Sequence, residues 1–226
     1  MLTDKRLLTC AELVTGDYPA DIGTDHGLLP IYMLLTGRAD LAVATDLREG
    51  PLSRARANAL KWSGSGRLRF ECAYGLDALA PGEADTVTVC GMGGMLIAEI
   101  LEKALSDGII TPEMRFVLAP NTQEPALRRF LARRGFEPTS ESAVRDGREV
   151  YLIVNCVFTG VPFALPDADS YLGFCRSLPP SYYRKLLRRL DRRLAGLRAA
   201  ANLSPAILSE LSLLELVRAD VLERLM

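Results

Sequence analysis

One pattern repeats along the first two thirds of this chain and restricts its fold more than any other feature. A short apolar run is followed by a loop rich in glycine or aspartate, and then by a stretch with helical periodicity. Residues 19–22, 41–45, 68–72, 86–90 and 116–119 read as strands. Residues 28–35, 52–62, 95–105 and 124–134 place apolar side chains at helical spacing, and Gly135 ends the last of them. Pro30 falls in the first turn of its helix, where its missing N–H costs little. Strands that alternate with helices predict an α/β fold with a mostly parallel sheet covered on both faces. A short amphipathic helix over residues 5–14 precedes them, with Leu7, Leu8, Ala11 and Val14 on its apolar side.

The end of this unit reads differently. Residues 139–144 and 150–157 are apolar runs flanking Arg145-Asp146-Gly147-Arg148, and Asp-Gly between two such runs signals a hairpin. The sheet is therefore expected to close with an antiparallel hairpin, making residues 1–160 one domain. Residues 159–169, with Pro162 and Pro166, read as a linker. Residues 161–226 are then expected to form an α-helical coiled-coil hairpin. Its first helix carries Tyr183, Leu187, Leu190, Leu194 and Leu197 at alternating four- and three-residue steps. Residues 202–204 form the turn, Ser204 is the N-cap and Pro205 opens the second helix. Ile207, Leu211, Leu214, Val217 and Val221 give that helix the matching stripe.

Composition excludes several classes. The formal net charge of −1 excludes a globally basic protein, so contact with nucleic acid requires a local patch. Five cysteines, none in a C-x-x-C pair, and a single histidine argue against a metal site and against a disulfide framework. A reduced, cytoplasmic setting follows. The N-terminus lacks the apolar core of a signal peptide, and no stretch suits a membrane span.

Three loops at strand ends carry candidate chemistry. Asp21-Ile22-Gly23-Thr24-Asp25-His26-Gly27 turns a strand into a helix, where open α/β sheets bind nucleotide-type ligands. Its G-x-x-x-G spacing lacks the dinucleotide fingerprint. Asp21 and Asp25 disfavour a pyrophosphate and favour a cation such as a sulfonium or ammonium. The alternative is an ordinary turn in which Asp25 caps the helix. Asp46 ends the second strand, suited to gripping ribose hydroxyls or to capping the next helix. Cys90-Gly91-Met92-Gly93-Gly94 follows the fourth strand and leaves backbone open to a flat ligand, with Met92 able to pack on a purine.

The strings ADIGTDHGLLP, DLREGP, VCGMGGMLIAEIL, APN and VYLIV, in this order, resemble the bacterial tRNA adenine-N1-methyltransferases of the TrmK type. The resemblance implies a Rossmann-like class I methyltransferase domain, S-adenosyl-L-methionine as cofactor, and methylation of N1 of an adenine at position 22 of tRNA. It implies that Asp21, Gly23, Thr24 and Asp25 line the methionine part of the cofactor. Asp46, with Leu47 beside it, takes the ribose. Ala73 and Tyr74 flank the adenine, Gly91 and Met92 border the target base, and Arg6 stands near the mouth of the site. Two residues depart from the family pattern. Tyr74 replaces an acidic or amide residue, and Leu28 replaces a tyrosine found in many relatives.

Asp25, Gly91 and Met92 are the expected catalytic residues, because N1 of adenine needs positioning and a nearby carboxylate rather than a strong base. His26 is expected to order the loop or touch the cofactor. Arg184, Lys185, Arg188, Arg189 and Arg192, with Arg193 and Arg198, form a basic stripe that either tracks RNA phosphates or flanks the coiled coil opposite Glu210, Glu215 and Glu223. Arg128, Arg129, Arg133 and Arg134 add a second basic cluster, read as a solvated surface rather than as a further phosphate contact. The expected partner is tRNA, with no metal and no membrane, and the chain is expected to be a monomer or weak dimer. Two rival functions stay open: methylation of a small molecule or protein, and RNA binding without catalysis.

Overall fold

The structure is a computed structural model, and it describes residues 2–62, 65–175, 177–200 and 204–226. The turn expected at residues 202–204 lies outside the described residues except for Ser204. In chain order the elements are α1 (Lys5–Leu13), β1 (Ala20–Ile22), α2 (Leu28–Leu35), β2 (Ala42–Asp46), α3 (Glu49–Lys61), β3 (Leu68–Cys72), β4 (Thr86–Cys90), α4 (Gly94–Ser106), β5 (Arg115–Ala119), α5 (Glu124–Arg134), β6 (Phe136–Asp146), β7 (Glu149–Phe158), α6 (Asp167–Leu172), α7 (Pro180–Arg198) and α8 (Pro205–Leu225).

The seven strands form one sheet in the order β3-β2-β1-β4-β5-β7-β6. The first five run parallel, while β7 pairs antiparallel with both β5 and β6. The chain winds outward from β1 to β3, then returns to start again at β4. The reversal between β1 and β4 opens a crevice at the carboxyl ends of the strands. Side chains alternate across the pleat. Val43, Phe116 and Leu118 join one apolar cluster, and Ala42, Ala44, Val117 and Ala119 join the other.

The first cluster runs without a break from the sheet through α4 and α5 into Tyr182, Leu190, Leu194, Val217 and Val221 of the helical hairpin. Of the expected seam, Tyr183, Leu190, Leu194 and Leu197 are buried and Leu187 is half-buried. Tyr182 and Leu186 are buried as well, because α7 packs against α8 on one side and against β7 of the sheet on the other. Ser204 caps α8 by accepting from the Ile207 N–H at 3.4 Å. Arg193–Glu210 and Arg198–Glu215 bridge the two helices at 2.8 and 2.7 Å. Those two arginines therefore pair with carboxylates of the partner helix, as in the second of the two roles open to the stripe.

Two elements and one residue depart from expectation. The linker ends in a helix, α6, that starts after Pro166 with Asp167 and Asp169 in its first turn, where carboxylates suit the helix dipole. Six residues are too few to show a periodicity. Strand β6 begins at Phe136 rather than residue 139, and it accommodates Pro138 through a register shift between Pro138 and Ser140. An edge strand tolerates such a bulge. The third correction concerns Arg128, read as solvated. It is fully buried, and its guanidinium meets Glu141 at 2.7 Å, the Ser170 carbonyl at 2.8 Å and the Tyr182 hydroxyl at 3.1 Å. The Phe174 N–H donates to the other Glu141 oxygen at 2.9 Å. This network ties β6, α5, α6 and α7 together.

Candidate active site

Asp21 sits within β1 opposite Thr88 of β4. Its two carboxylate oxygens each accept a hydroxyl at 2.7 Å, one from Thr88 and one from Thr24. Burial pushes its pKa up, and the two hydroxyls and Arg6 only partly oppose that. After β1 the chain turns on Gly23, at φ +71°, and the Gly23 and Thr24 N–H groups both donate to the Thr45 carbonyl. Glycine is required here because this backbone region penalises a Cβ. Asp25 follows with φ +49°.

The helix after this loop is capped by Gly27 without a side-chain bond, so Asp25 is not its cap. Instead the Asp25 carboxylate lies 3.3 Å from Arg54 of α3 and 3.4 Å from His26 Nε2. It remains 59% exposed on the rim of the crevice. Asn58 of α3 donates to the His26 carbonyl at 2.9 Å, so α3 braces the whole turn. Asp46, at the end of β2, accepts from the Arg48 N–H at 2.9 Å and is nearly buried.

The glycine cluster forms the opposite wall. Gly91 has φ +90°, and its carbonyl accepts from the Asn121 side-chain amide at 2.6 Å. The Asn121 N–H in turn donates to the Met92 carbonyl at 2.8 Å. Arg6 reaches across from α1 to the Asn121 side-chain oxygen at 3.4 Å and lies 4.8 Å over the ring of Tyr151. The Met92 side chain lies directly over Gly23, its methyl carbon 2.1 Å from where a Cβ would stand. The acidic turn and the glycine cluster thus face each other across one cleft of about 460 Å³.

That cleft is lined by Arg6, Asp21, Gly23, Thr24, Asp25, His26, Asp46, Gly91 and Met92 among the residues expected from the sequence. Leu28, exposed at the rim, also lines it. Leu47, Ala73 and Tyr74 are not among its lining residues. Leu47 is 65% exposed, and the Tyr74 hydroxyl donates to Glu99 at 2.9 Å. Ala73 and Leu47 follow directly on β3 and β2, further along the same sheet edge. Asn121 carries the glycine loop, a role that the sequence does not announce. The string APN is its only signal, because the asparagine acts through backbone contacts that no spacing reveals.

The basic stripe lies apart from the cleft. Arg184, Arg188 and Arg192 are exposed on α7. Lys185 donates to the Val150 carbonyl at 2.5 Å. Arg189 is turned inward, with both oxygens of the buried Glu124 at 2.6 and 2.8 Å. Its charge is neutralised there, so it stands out from the expected stripe.

A parallel sheet that reverses between β1 and β4, ends in an antiparallel hairpin and carries an acidic turn at the reversal defines a Rossmann-like class I methyltransferase fold. The model of the methyltransferase domain family matches residues 3–154, and the chain belongs to that family. It is 33% identical over 151 residues to the tRNA (adenine(22)-N(1))-methyltransferase of Bacillus subtilis, an alignment covering 66% of this chain and 63% of that protein. The crystal structure of Streptococcus pneumoniae Sp1610, a putative tRNA (m1A22) methyltransferase, superposes with a TM-score of 0.81 at 26% identity, covering 96% of this chain and 100% of that one. Its complex with S-adenosyl-L-methionine superposes with a TM-score of 0.77 at 25% identity over the same shares.

Proposed function

We propose that this chain transfers a methyl group from S-adenosyl-L-methionine to N1 of an adenine in tRNA, at position 22 by analogy with the Bacillus subtilis relative. The observation that carries the reading is one cleft in which a buried and a rim carboxylate face the glycine loop and its Met92. Its chemistry fits the cofactor. Two carboxylates favour a sulfonium and an ammonium, and no glycine cradle for a pyrophosphate is present in this turn.

Bound there, the cofactor supplies an electrophilic methyl group. Asp21 and Thr24 hold its amino-acid end, and Asp46 takes the ribose hydroxyls. Gly91 leaves room for a flat base, and Asn121 fixes the carbonyl that borders it. N1 of adenine has a free lone pair at neutral pH, so the protein need not remove a proton to create the nucleophile. Base pairing hides N1, so the nucleotide must first leave its stack. Asp25, on the rim, stabilises the positive charge that grows on the purine. The exposed Arg184, Arg188 and Arg192 of α7 meet the phosphates, and five cysteines outside any disulfide suit a reduced, cytoplasmic setting. Among the described residues no helix is long and apolar enough to cross a membrane.

The test is incubation with labelled S-adenosyl-L-methionine and unmodified tRNA, then nucleoside analysis. Label in 1-methyladenosine is expected, and label in no nucleoside refutes the reading. Asp25→Ala is expected to slow single-turnover methylation roughly ten- to hundredfold, less than a fully buried charge-stabilising group gives, because Asp25 is exposed and already faces Arg54. An unchanged single-turnover rate would remove Asp25 from the chemistry.

A further inference from the structure

Two concave grooves, of about 690 and 620 Å³, lie between α7 and the turn that joins β6 to β7. They share Arg148, Val150 and Arg188. The first also takes in Lys185 and Arg192, the second Arg145 and Arg184. Arg145 and Arg148 read from the sequence only as part of a hairpin turn, yet they stand opposite the α7 stripe as a second wall.

The charges in these grooves are not balanced. Among the described residues no carboxylate lines the second groove. In the first, Asp191 pairs with Arg218 of α8 at 2.7 Å, and only Glu149 remains. Among the described residues, Arg145, Arg148, Arg184, Arg188 and Arg192 have no carboxylate within ion-pair distance, whereas Arg189, Arg193 and Arg198 of the same helix do. Like charges held together in a concavity repel one another and focus a field that concentrates anions. Tyr151 stands between the grooves and the cleft. Lys185 lies 6.0 Å from the centre of the Tyr151 ring, and Arg6, which lines the cleft, lies 4.8 Å from it.

We propose that the two grooves are one seat for the phosphate backbone of the RNA substrate, with Arg145 at the end of β6 and Arg148 of the β6–β7 turn as contact residues alongside Arg184, Arg188 and Arg192. This rests on the reading of the chain as a tRNA methyltransferase. Arginine suits the role, because its planar fork meets phosphate oxygens in pairs. A strand seated there passes Tyr151 to reach the cleft.

The double variant Arg145→Ala/Arg148→Ala tests this in the full-length chain. Its affinity for unmodified tRNA is measured from low to moderate salt, beside wild type and Arg145→Lys/Arg148→Lys. The alanine pair is expected to weaken binding about tenfold and to flatten the plot of log affinity against log salt by one to two, roughly one for each phosphate that is no longer neutralised. The lysine pair keeps the charge and is expected to restore most of the slope. Cofactor affinity, read by calorimetry, is expected to stay at the wild-type value and shows that the fold is intact. If the alanine pair matches wild type in affinity and salt slope, the proposal is overturned while the function stands. If wild type neither binds nor methylates tRNA, the proposed function itself fails.

Discussion

Replacing Glu141 with alanine is expected to destabilise the protein by about 3–5 kcal/mol, because it leaves a buried guanidinium with no carboxylate. Neither partner of the Arg128–Glu141 pair exposes any side-chain surface. The remaining contacts of Arg128 are neutral: the Ser170 and Tyr171 carbonyls and the Tyr182 hydroxyl. They satisfy hydrogen bonds but do not offset the charge. In a chain of this length the loss corresponds to a drop of roughly 10 °C in melting temperature. Removing both charges, as in Arg128→Met/Glu141→Leu, should recover much of it, since an apolar pair of similar volume carries no desolvation cost. Thermal and denaturant melts of the three proteins decide the matter. A single variant within about 1 kcal/mol of wild type would mean that solvent reaches the network.

The second large effect is on activity. Asp21→Asn is expected to weaken cofactor binding at least tenfold and to slow methyl transfer by about two orders of magnitude, since the cleft loses its buried negative charge. Stability is expected to move the other way. Burial raises the Asp21 pKa in the folded chain above its unfolded value. The folded state then prefers the protonated form, and the group's cost to stability grows as pH rises from the unfolded pKa through the folded one. Asparagine has no such titration. The variant should melt at or above the wild-type temperature near neutral pH, and the gap should close as pH falls. Calorimetric titration and melts across pH measure both halves. A variant that is less stable yet binds the cofactor normally would show that Asp21 is a structural group. Active-site residues commonly trade stability for function in this way.

The two expectations differ in how far the sequence could support them. Asp21 was legible, because a carboxylate in a strand that runs into GTDHG has few other uses. Elements bounded by glycine or by sharp turns were legible too. Residues 28–35, 68–72, 86–90 and 124–134 appear as α2, β3, β4 and α5 with unchanged limits. Arg128 was not legible. Its fate depends on Glu141 in another element and on carbonyls of a six-residue helix that has no periodic signal. Four arginines in one helix look solvated until the fold decides which of them faces inward. Asn121 escaped for a similar reason: its side-chain amide holds a loop by that loop's backbone carbonyl. The stripe on α7 was only half legible, because charge pairing across the helices separates Arg193 and Arg198 from Arg184, Arg188 and Arg192.

The buried network around Arg128 has one more consequence. It fastens α7 to β6 and α5 through groups that cannot slide past one another without stranding a charge. The separation between the α7 surface and the cleft is thereby set like the jaws of a caliper. An RNA that grips one jaw presents to the other whichever nucleotide lies at that reach. Under the proposed function, choice of substrate follows the bends of the folded RNA more than the letters around the target, the mode of selection that suits structured RNA.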